Sequence, residues 1–264
     1  MEPDRHPVEI ANLAEVERAV AACVEQGRSL RPGLVLGLHG TLMTGVPETP
    51  KRPLKPGRFR DATDQVEAAG VEYLIKHLSP AWRIEADVAA LADAVEQGRL
   101  GEDGMHAAGR FHYRFVRIHP FCDGNGRMAR ALSTFLLAKE DRNILTFEKP
   151  LNRFILDHRE DYVGVLEYCD GIYEDLEDAE MPEEEKLRWA EEPFCDFHTT
   201  AYLAAYREHN EIAHRKLEEM GLDLPPFPPA SPILYDLRLE TIKESHPWDE
   251  TIKEAAVLAA RRDE

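Results

Sequence analysis

The helical pattern of this sequence stops and restarts within a few residues, and this break constrains the fold more than any other feature. Apolar residues at helical spacing predict a helix that runs up to His119. Pro120 lacks the N–H that would continue this helix and pushes His119 out of helical geometry. Residues 123–126, Asp-Gly-Asn-Gly, are typical of a turn, and the helical pattern resumes at Arg127. The segment therefore predicts a helix, a tight glycine-rich loop and a second, buried helix.

The charge balance disfavours several classes of partner. The 264 residues include 50 Asp and Glu against 32 Lys and Arg, a net charge of −18, which disfavours nucleic acids and anionic lipid surfaces. No apolar run approaches the ~18 residues of a membrane span, and the acid-rich N-terminus predicts no signal peptide. The four cysteines are widely spaced and form no CxxC pair, as expected of reduced thiols. We therefore expect a cytoplasmic protein that binds neither nucleic acid nor membrane.

Most of the sequence has helical periodicity, and we predict a mainly α fold. Helices are expected near residues 7–23, 34–43, 84–100 and 199–220. Residues 64–78 are ambiguous, because their Ala-Gly centre suits a short β-hairpin while their apolar end could start a helix. Pro-rich stretches predict a loop at residues 47–57 and a stiff connector at residues 223–232. Beyond the connector, Trp248 is a candidate to dock the C-terminal helices.

The predicted loop between the two helices has the chemistry of an anion site. A glycine-rich turn at a helix N-terminus offers backbone N–H groups, and the helix dipole favours negative charge there. Arg127 and Arg130 are three residues apart and therefore lie on one side of the second helix. Residues 105–130 hold five arginines and one aspartate in an otherwise acidic chain. Two guanidinium groups beside such a loop suit a polyphosphate better than a single carboxylate.

Two further side chains next to the loop can support phosphate transfer. A histidine with its ordinary pKa of ~6.5 can take a proton from an attacking hydroxyl, which makes His119 a candidate general base. A lone carboxylate beside bound phosphates is the usual protein ligand of Mg²⁺, and Asp123 occupies that position.

Other phosphate and metal motifs fit less well. Residues 124–129 match GxGxxA, but Pro120 and Asp123 stand where a dinucleotide-binding unit needs a strand. The segment does not fit an EF-hand calcium loop, whether Asp123 is taken as its first or its third residue. The sequence also has no GxxxxGK[ST] P-loop. Cys195 and His198 have the spacing of half a zinc site without a second pair nearby, so a packing role is favoured.

Residues 119–130, HPFCDGNGRMAR, resemble the complete signature HPFx[D/E]GN[G/K]RxxR of Fic-domain proteins. Four other stretches are similar to elements of that family: residues 38–45 to LHxxLxxG, 56–60 to PGxxR, 112–116 to the run into the signature, and 159–166 to RxxYxxxL. The resemblance covers about residues 31–170.

The resemblance implies a mainly α, Fic-type helical bundle with a small β-hairpin flap near the active site. It also implies transfer of AMP from ATP to a Tyr, Thr or Ser hydroxyl of a target protein. By position, His119 would be the general base and Asp123 would hold Mg²⁺. The nucleotide would be bound by the loop and the two arginines, that is by Gly124, Asn125, Gly126, Arg127 and Arg130.

Two interpretations stay open beside AMP transfer. Gly126, where a kinase-like variant of the family has lysine, favours AMP transfer over phosphate transfer. The transferred group could still be another one, either UMP from a donor such as UTP or phosphate. The site could also belong to a non-catalytic module that binds ATP and recruits a partner.

The resemblance divides the chain into four parts. Residues 1–30 are expected to be an N-terminal helical extension, 31–170 the Fic core, 171–222 an acidic helical part, and 223–264 the Pro-rich connector with a terminal helical appendage. Many Fic proteins carry an inhibitory [S/T]xxxE[G/N] helix, but no Ser or Thr of this sequence begins such a motif. We therefore expect restraint by a separate inhibitor of the antitoxin kind, by a homo-oligomer, or none.

Overall fold

The structure, a computed structural model, describes residues 6–48, 54–64, 78–101, 103–146, 151–222, 225–226 and 237–260. Within these ranges the chain is helical and contains no strand, which confirms the predicted mainly α fold. The hairpin predicted within residues 64–78 falls on residues 65–77, which lie outside the described residues. The α-helices are α1 His6–Glu25, α2 Pro32–Met43, α3 Ile84–Glu96, α4 Gly104–Ile118, α5 Asn125–Glu140, α6 Leu151–Asp157, α7 Arg159–Leu176, α8 Glu183–Glu219, α9 Leu239–Ser245 and α10 Glu250–Ala260.

The chain divides into two compact units, Met1–Leu145 and Thr146–Glu264. The first unit holds α1 to α5 and the second holds α6 to α10. This division falls inside the span 31–170 that the sequence predicts as one core, and the predicted four-part organisation stays a prediction. Among the described residues, no helix is both long enough and apolar enough to traverse a lipid bilayer.

The first unit is built around α5, which packs against α1, α2 and α4, while α3 packs against α4. Met128, Leu132 and Phe135 of α5 are completely buried. Each buried side chain of this size stabilises the fold by ~1.5–3 kcal/mol, so packing rather than helix propensity holds α5 at the centre. Helix α4 begins at Asp103, whose carboxylate accepts the Met105 N–H at 2.8 Å and caps the helix.

The second unit is centred on α7 and α8, and Trp248 attaches the C-terminal helices to them. The Trp248 indole donates a hydrogen bond of 3.0 Å to Asp175 and packs against Trp189 with 6.0 Å between ring centroids. The Tyr168 hydroxyl donates to the carbonyl of His246, just before the proline that precedes Trp248. These contacts confirm the predicted docking role of Trp248 within this unit.

Helix α8 begins much earlier than the sequence pattern predicts. The predicted start near residue 199 is wrong, because the helix starts at Glu183 and continues through Pro193. A proline inside a helix removes one hydrogen bond and usually breaks it. Here Pro193 is buried beside the fully buried Phe194 and Phe197, so packing offsets that cost. Three glutamates in the first turn also suit the positive end of the helix dipole.

His39 joins three segments of the first unit beneath the loop that follows α4. Its ring is stacked on Phe121 with 3.6 Å between centroids. Its Nδ1 accepts the Gly57 N–H at 3.1 Å, and its Nε2 lies 3.1 Å from the carbonyl oxygen of Asp123. Since a carbonyl can only accept, Nε2 carries the proton and the ring is neutral. Burial is the main reason why the pKa of His39 falls from 6.5 to about 4.

We predict that His39 makes the protein sensitive to acid. The pKa of His39 is 6.5 in the unfolded chain and about 4 in the folded chain, so the unfolded chain binds more protons between these two values. The stabilisation is therefore complete above pH 6.5 and is lost as the pH falls toward 4. We expect the free energy of unfolding of the wild type, measured in urea, to be lower at about pH 5 than at about pH 7.5. In His39→Gln this decrease should be smaller by about 2 kcal/mol. An equal loss in both proteins would contradict this role for His39.

Candidate active site

His119 stands at the junction of α4 and the loop, in a conformation that α-helices do not use. Its φ of 48° and ψ of 60° are left-handed, and it is the only non-glycine residue with positive φ in the described ranges. Its N–H still donates to the Phe115 carbonyl at 3.0 Å, and Pro120 follows where the helix cannot continue. This confirms the predicted end of the helix at His119.

The imidazole of His119 has a defined tautomer. Its Nδ1 lies 3.3 Å from the Val116 carbonyl oxygen, which can only accept, so Nδ1 carries the proton. The lone pair of the neutral ring is therefore on Nε2. Side-chain geometry thus leaves a single basic nitrogen that could accept a proton from a substrate.

The basicity of His119 is lower than the sequence suggests. The residue is only 8% exposed. The pKa of His119 falls from 6.5 to about 4, mainly because of burial; Arg60 adds to this decrease, while the Val116 bond and Asp123 partly oppose it. The expectation of an ordinary pKa near 6.5 is therefore wrong, because the ring is desolvated and stands beside a cation. At neutral pH the ring is uncharged, as a general base must be.

The loop that follows is closed by Asn125. Its side-chain oxygen accepts the Phe121 N–H at 2.9 Å, and its side-chain nitrogen donates to the Phe121 carbonyl at 2.8 Å. Phe121 itself is completely buried and anchors the loop in the core. The amide of Asn125 is thus committed to shaping the loop, and what this residue can offer an anion is its backbone N–H at the start of α5.

Gly124 is required at the N-terminus of α5 for two reasons. Its φ of 85° lies in the region that glycine adopts readily. A Cβ at this position would also lie 3.2 Å from the Met43 sulfur and 3.3 Å from Leu42 Cδ2. Close approach of α2 and left-handed backbone together place the first turn of α5 directly beside the loop.

The two predicted arginines meet at that first turn. The Arg127 guanidinium donates to Asp123 Oδ1 at 3.1 Å, and its other terminal nitrogen lies 3.1 Å from a Glu9 carboxylate oxygen on α1. Arg130 is buried, and a Cβ on Gly126 would lie 3.3 Å from its Nη1. Both guanidinium groups therefore reach back to the N-terminal end of α5. The structure brings the predicted site residues together in one place within the first unit.

Asp123 is the only predicted metal ligand, and its carboxylate is already hydrogen-bonded within the protein. Its Oδ1 accepts the Gly124 N–H at 2.6 Å besides the Arg127 bond. Among the described residues, no group of three or more His, Cys, Asp or Glu side chains could hold a metal ion. A divalent cation here would therefore need phosphate oxygens and water to complete its coordination. The same finding gives no support to a zinc site at Cys195 and His198.

Three important residues of the site were not singled out by sequence reasoning. Glu9 pairs with Arg127, His39 supports the loop, and the buried Arg60 donates to the His119 carbonyl at 2.7 Å. His39 and Arg60 do lie in stretches similar to family elements, which was the one signal that could have found them. Glu9 carries no such signal, because its pairing depends on how α1 packs against α5.

Cys122 connects the loop to the segment at residues 54–64. Its neighbour Asp64 pairs with Lys55 at 2.7 Å and accepts the Asp61 N–H at 2.7 Å. Burial, followed by the effect of the Asp64 carboxylate, raises the pKa of the Cys122 thiol to about 12. A thiol with so high a pKa is a poor nucleophile, so Cys122 acts as a packing residue.

Comparison with known proteins shows which proteins this chain resembles. Residues 29–137 match the model of the Fic/DOC family. A crystal structure of a Fic family protein from Desulfovibrio desulfuricans G20 is similar, with 26% identity and a TM-score of 0.59 over 81% of this chain and 56% of that one. A Fic domain containing signaling protein from Bacteroides thetaiotaomicron VPI-5482 shares the fold, with 19% identity and a TM-score of 0.54 over 75% of this chain and 69% of that one. The chain thus spans little more than half of the first protein, and its residues 29–137 are similar to the Fic/DOC family.

Proposed function

We propose that this protein is an adenylyltransferase that moves AMP from ATP to a Tyr, Thr or Ser hydroxyl of another protein. One observation carries the proposal. A neutral imidazole with a defined basic nitrogen stands where the loop begins, and two guanidinium groups reach the first turn of the buried helix where the loop ends. The similarity of residues 29–137 to the Fic/DOC family supports a transferase, and the AMP donor, the acceptor and their partners are part of the proposal.

The residues of the site suffice for an in-line displacement at the α-phosphorus. The acceptor hydroxyl would give its proton to His119 Nε2 as its oxygen bonds to the α-phosphorus, and the bond to pyrophosphate would break. Arg127 and Arg130 would neutralise the negative charge that moves to the leaving group. Backbone N–H groups of Asn125 and Gly126, joined by that of Gly124 once it leaves Asp123 Oδ1, would hold the phosphates and align them, so no covalent protein intermediate is needed.

Mg²⁺ fits this site as a partner of the phosphates. Asp123 would supply the protein's carboxylate ligand, exchanging its present hydrogen bond with Arg127 for the metal. When bound, Mg²⁺ would neutralise phosphate charge during transfer. Arg127, released from Asp123, would then be available to the triphosphate.

The cytoplasm is the proposed location of the protein. ATP and reduced thiols are expected together in the cytoplasm, and the four cysteines form no disulfide. A target protein with an accessible hydroxyl is required. A separate inhibitor or a homo-oligomer would supply any restraint that this chain does not provide itself.

Labelled nucleotides test the proposal directly. The purified chain would be incubated with Mg²⁺ and host lysate, in parallel with α-labelled ATP, γ-labelled ATP and α-labelled UTP. Protein labelled from α-ATP supports AMP transfer. Label from γ-ATP would indicate phosphate transfer, label from UTP would indicate UMP transfer, and nucleotide binding without label would indicate a binding module.

The first prediction for the proposed activity concerns His119. Replacing it by alanine removes the proposed base while leaving the phosphate contacts in place. We expect turnover to fall by ~10²–10⁴ while ATP binding stays nearly unchanged. Turnover would be followed by α-label incorporation and binding by calorimetry, and retained labelling would remove His119 from the mechanism.

The second prediction concerns pH. A base must be unprotonated, so activity is lost as pH falls through its folded pKa, which is about 4 for His119. We expect kcat/KM to stay level from about pH 8 down to about pH 6 and to decline only below that range. Circular dichroism at each pH would control for unfolding. A decline centred at or above pH 6.5 would contradict the buried, neutral state of this ring.

The third prediction concerns Glu9, which competes with phosphates for Arg127. Replacing Glu9 by glutamine removes one partly buried carboxylate from the site. We expect ATP to bind about three- to tenfold more tightly, with little change in turnover at saturating ATP. Glu15→Gln, on the same helix and paired with the exposed Arg18, is the matched control. A sharp rise in turnover would mean that Glu9 restrains the enzyme in cis, against our expectation.

A further inference from the structure

We propose that Arg60 is a positioning residue for His119, because its guanidinium holds the backbone that carries the imidazole. This inference rests on the proposed role of His119 as general base. Arg60 lies 59 residues before His119 and outside the signature at residues 119–130. None of the roles assigned above involves it.

Arg60 is bonded to three consecutive carbonyl groups at the end of α4. Its Nε donates to the His119 oxygen at 2.7 Å, and its Nη2 lies 3.4 Å from the Ile118 oxygen. Its backbone N–H donates to the Pro120 oxygen at 2.9 Å. Nη2 also donates to the carbonyl of Ser79, which connects the junction to the segment that leads into α3. One buried side chain therefore fixes the peptide groups on both sides of His119.

His119 needs such support because its backbone is strained. A residue with a side chain is disfavoured at φ 48°, and it stays there only where its surroundings leave it no alternative. The ring depends on this conformation, since Nδ1 reaches the Val116 carbonyl from it. If the peptide were released, the ring would lose the bond that sets its tautomer and direction.

The chemistry of this position suits arginine in particular. A guanidinium is planar and directs several donors at fixed angles, so it can bind the His119 and Ser79 carbonyls at once. An ammonium is a single point charge and cannot reproduce that geometry. A cation is also favoured at the C-terminal end of a helix, where the dipole is negative. Arg60 and Asp123 are the charged groups acting on the His119 ring, with opposite effects on its pKa.

The test compares Arg60→Lys and Arg60→Gln with the wild-type chain by two readouts. Nitrogen NMR of the His119 ring, assigned by the signal lost in His119→Asn, reports its tautomer and pKa without requiring activity. We expect one Nδ1-protonated tautomer in wild type, mixed tautomers in both variants, and a higher pKa in Arg60→Gln. We also expect kcat to fall on the order of 10²-fold, as for a misplaced base, with KM for ATP within about twofold of wild type.

Arg110→Lys is the matched control. Arg110 also donates through its guanidinium to a backbone carbonyl, that of Leu100 at 2.7 Å, but it does not touch His119. Its lysine variant should keep the His119 tautomer and a kcat within about twofold of wild type, because the misplacement is confined to the junction. An equal loss of kcat in Arg110→Lys would overturn the proposal, because it would reflect general destabilisation of α4.

Failure of this inference is distinguishable from failure of the proposed function. If wild type transfers no nucleotide, the proposed function fails, and the NMR readout alone decides the role of Arg60. An unchanged tautomer in folded Arg60→Lys would overturn the positioning role, whatever the activity. Arg60→Lys keeps a cation in the buried position, so it serves as the test if Arg60→Gln does not fold.

Discussion

The site depends on one pair of hydrogen bonds, by which the Asn125 side chain binds both the N–H and the carbonyl of Phe121. Buried polar groups must be satisfied, and this pair satisfies four of them while closing the loop. With Phe121 fixed in the core, the chain can reach the start of α5 only through a left-handed Gly124. That route brings the first turn of α5 next to His119, so the candidate base and the candidate anion site are consequences of one closed loop.

Burial keeps both histidines of this region neutral, and each uses its neutrality differently. His39 has one nitrogen accepting from Gly57 and the other donating to Asp123, so a second proton would break a support of the loop. His119 commits Nδ1 to Val116 and therefore carries its lone pair on Nε2. The low dielectric that makes an extra charge costly thus stabilises the loop in one case and prepares a base in the other.

The charge of Arg127 is already paired within the protein. Arg127 contacts Asp123 and Glu9, while Arg60 is directed at carbonyl groups behind His119. Under the proposed function, phosphates would replace the carboxylates as partners of Arg127, and Mg²⁺ would replace Arg127 as the partner of Asp123.

The order of the elements around the site follows from the sequence: a helix ending at His119, a tight loop, and a buried helix carrying Arg127 and Arg130. These features are local, because proline, glycine and helical spacing act over a few residues. The structure alone decided that Glu9 pairs with Arg127, that Arg60 holds the His119 backbone, and that the His119 pKa is low. Each depends on packing between segments that are far apart in sequence and on the exclusion of water where they meet. The pattern of neighbouring residues along the chain encodes neither of these.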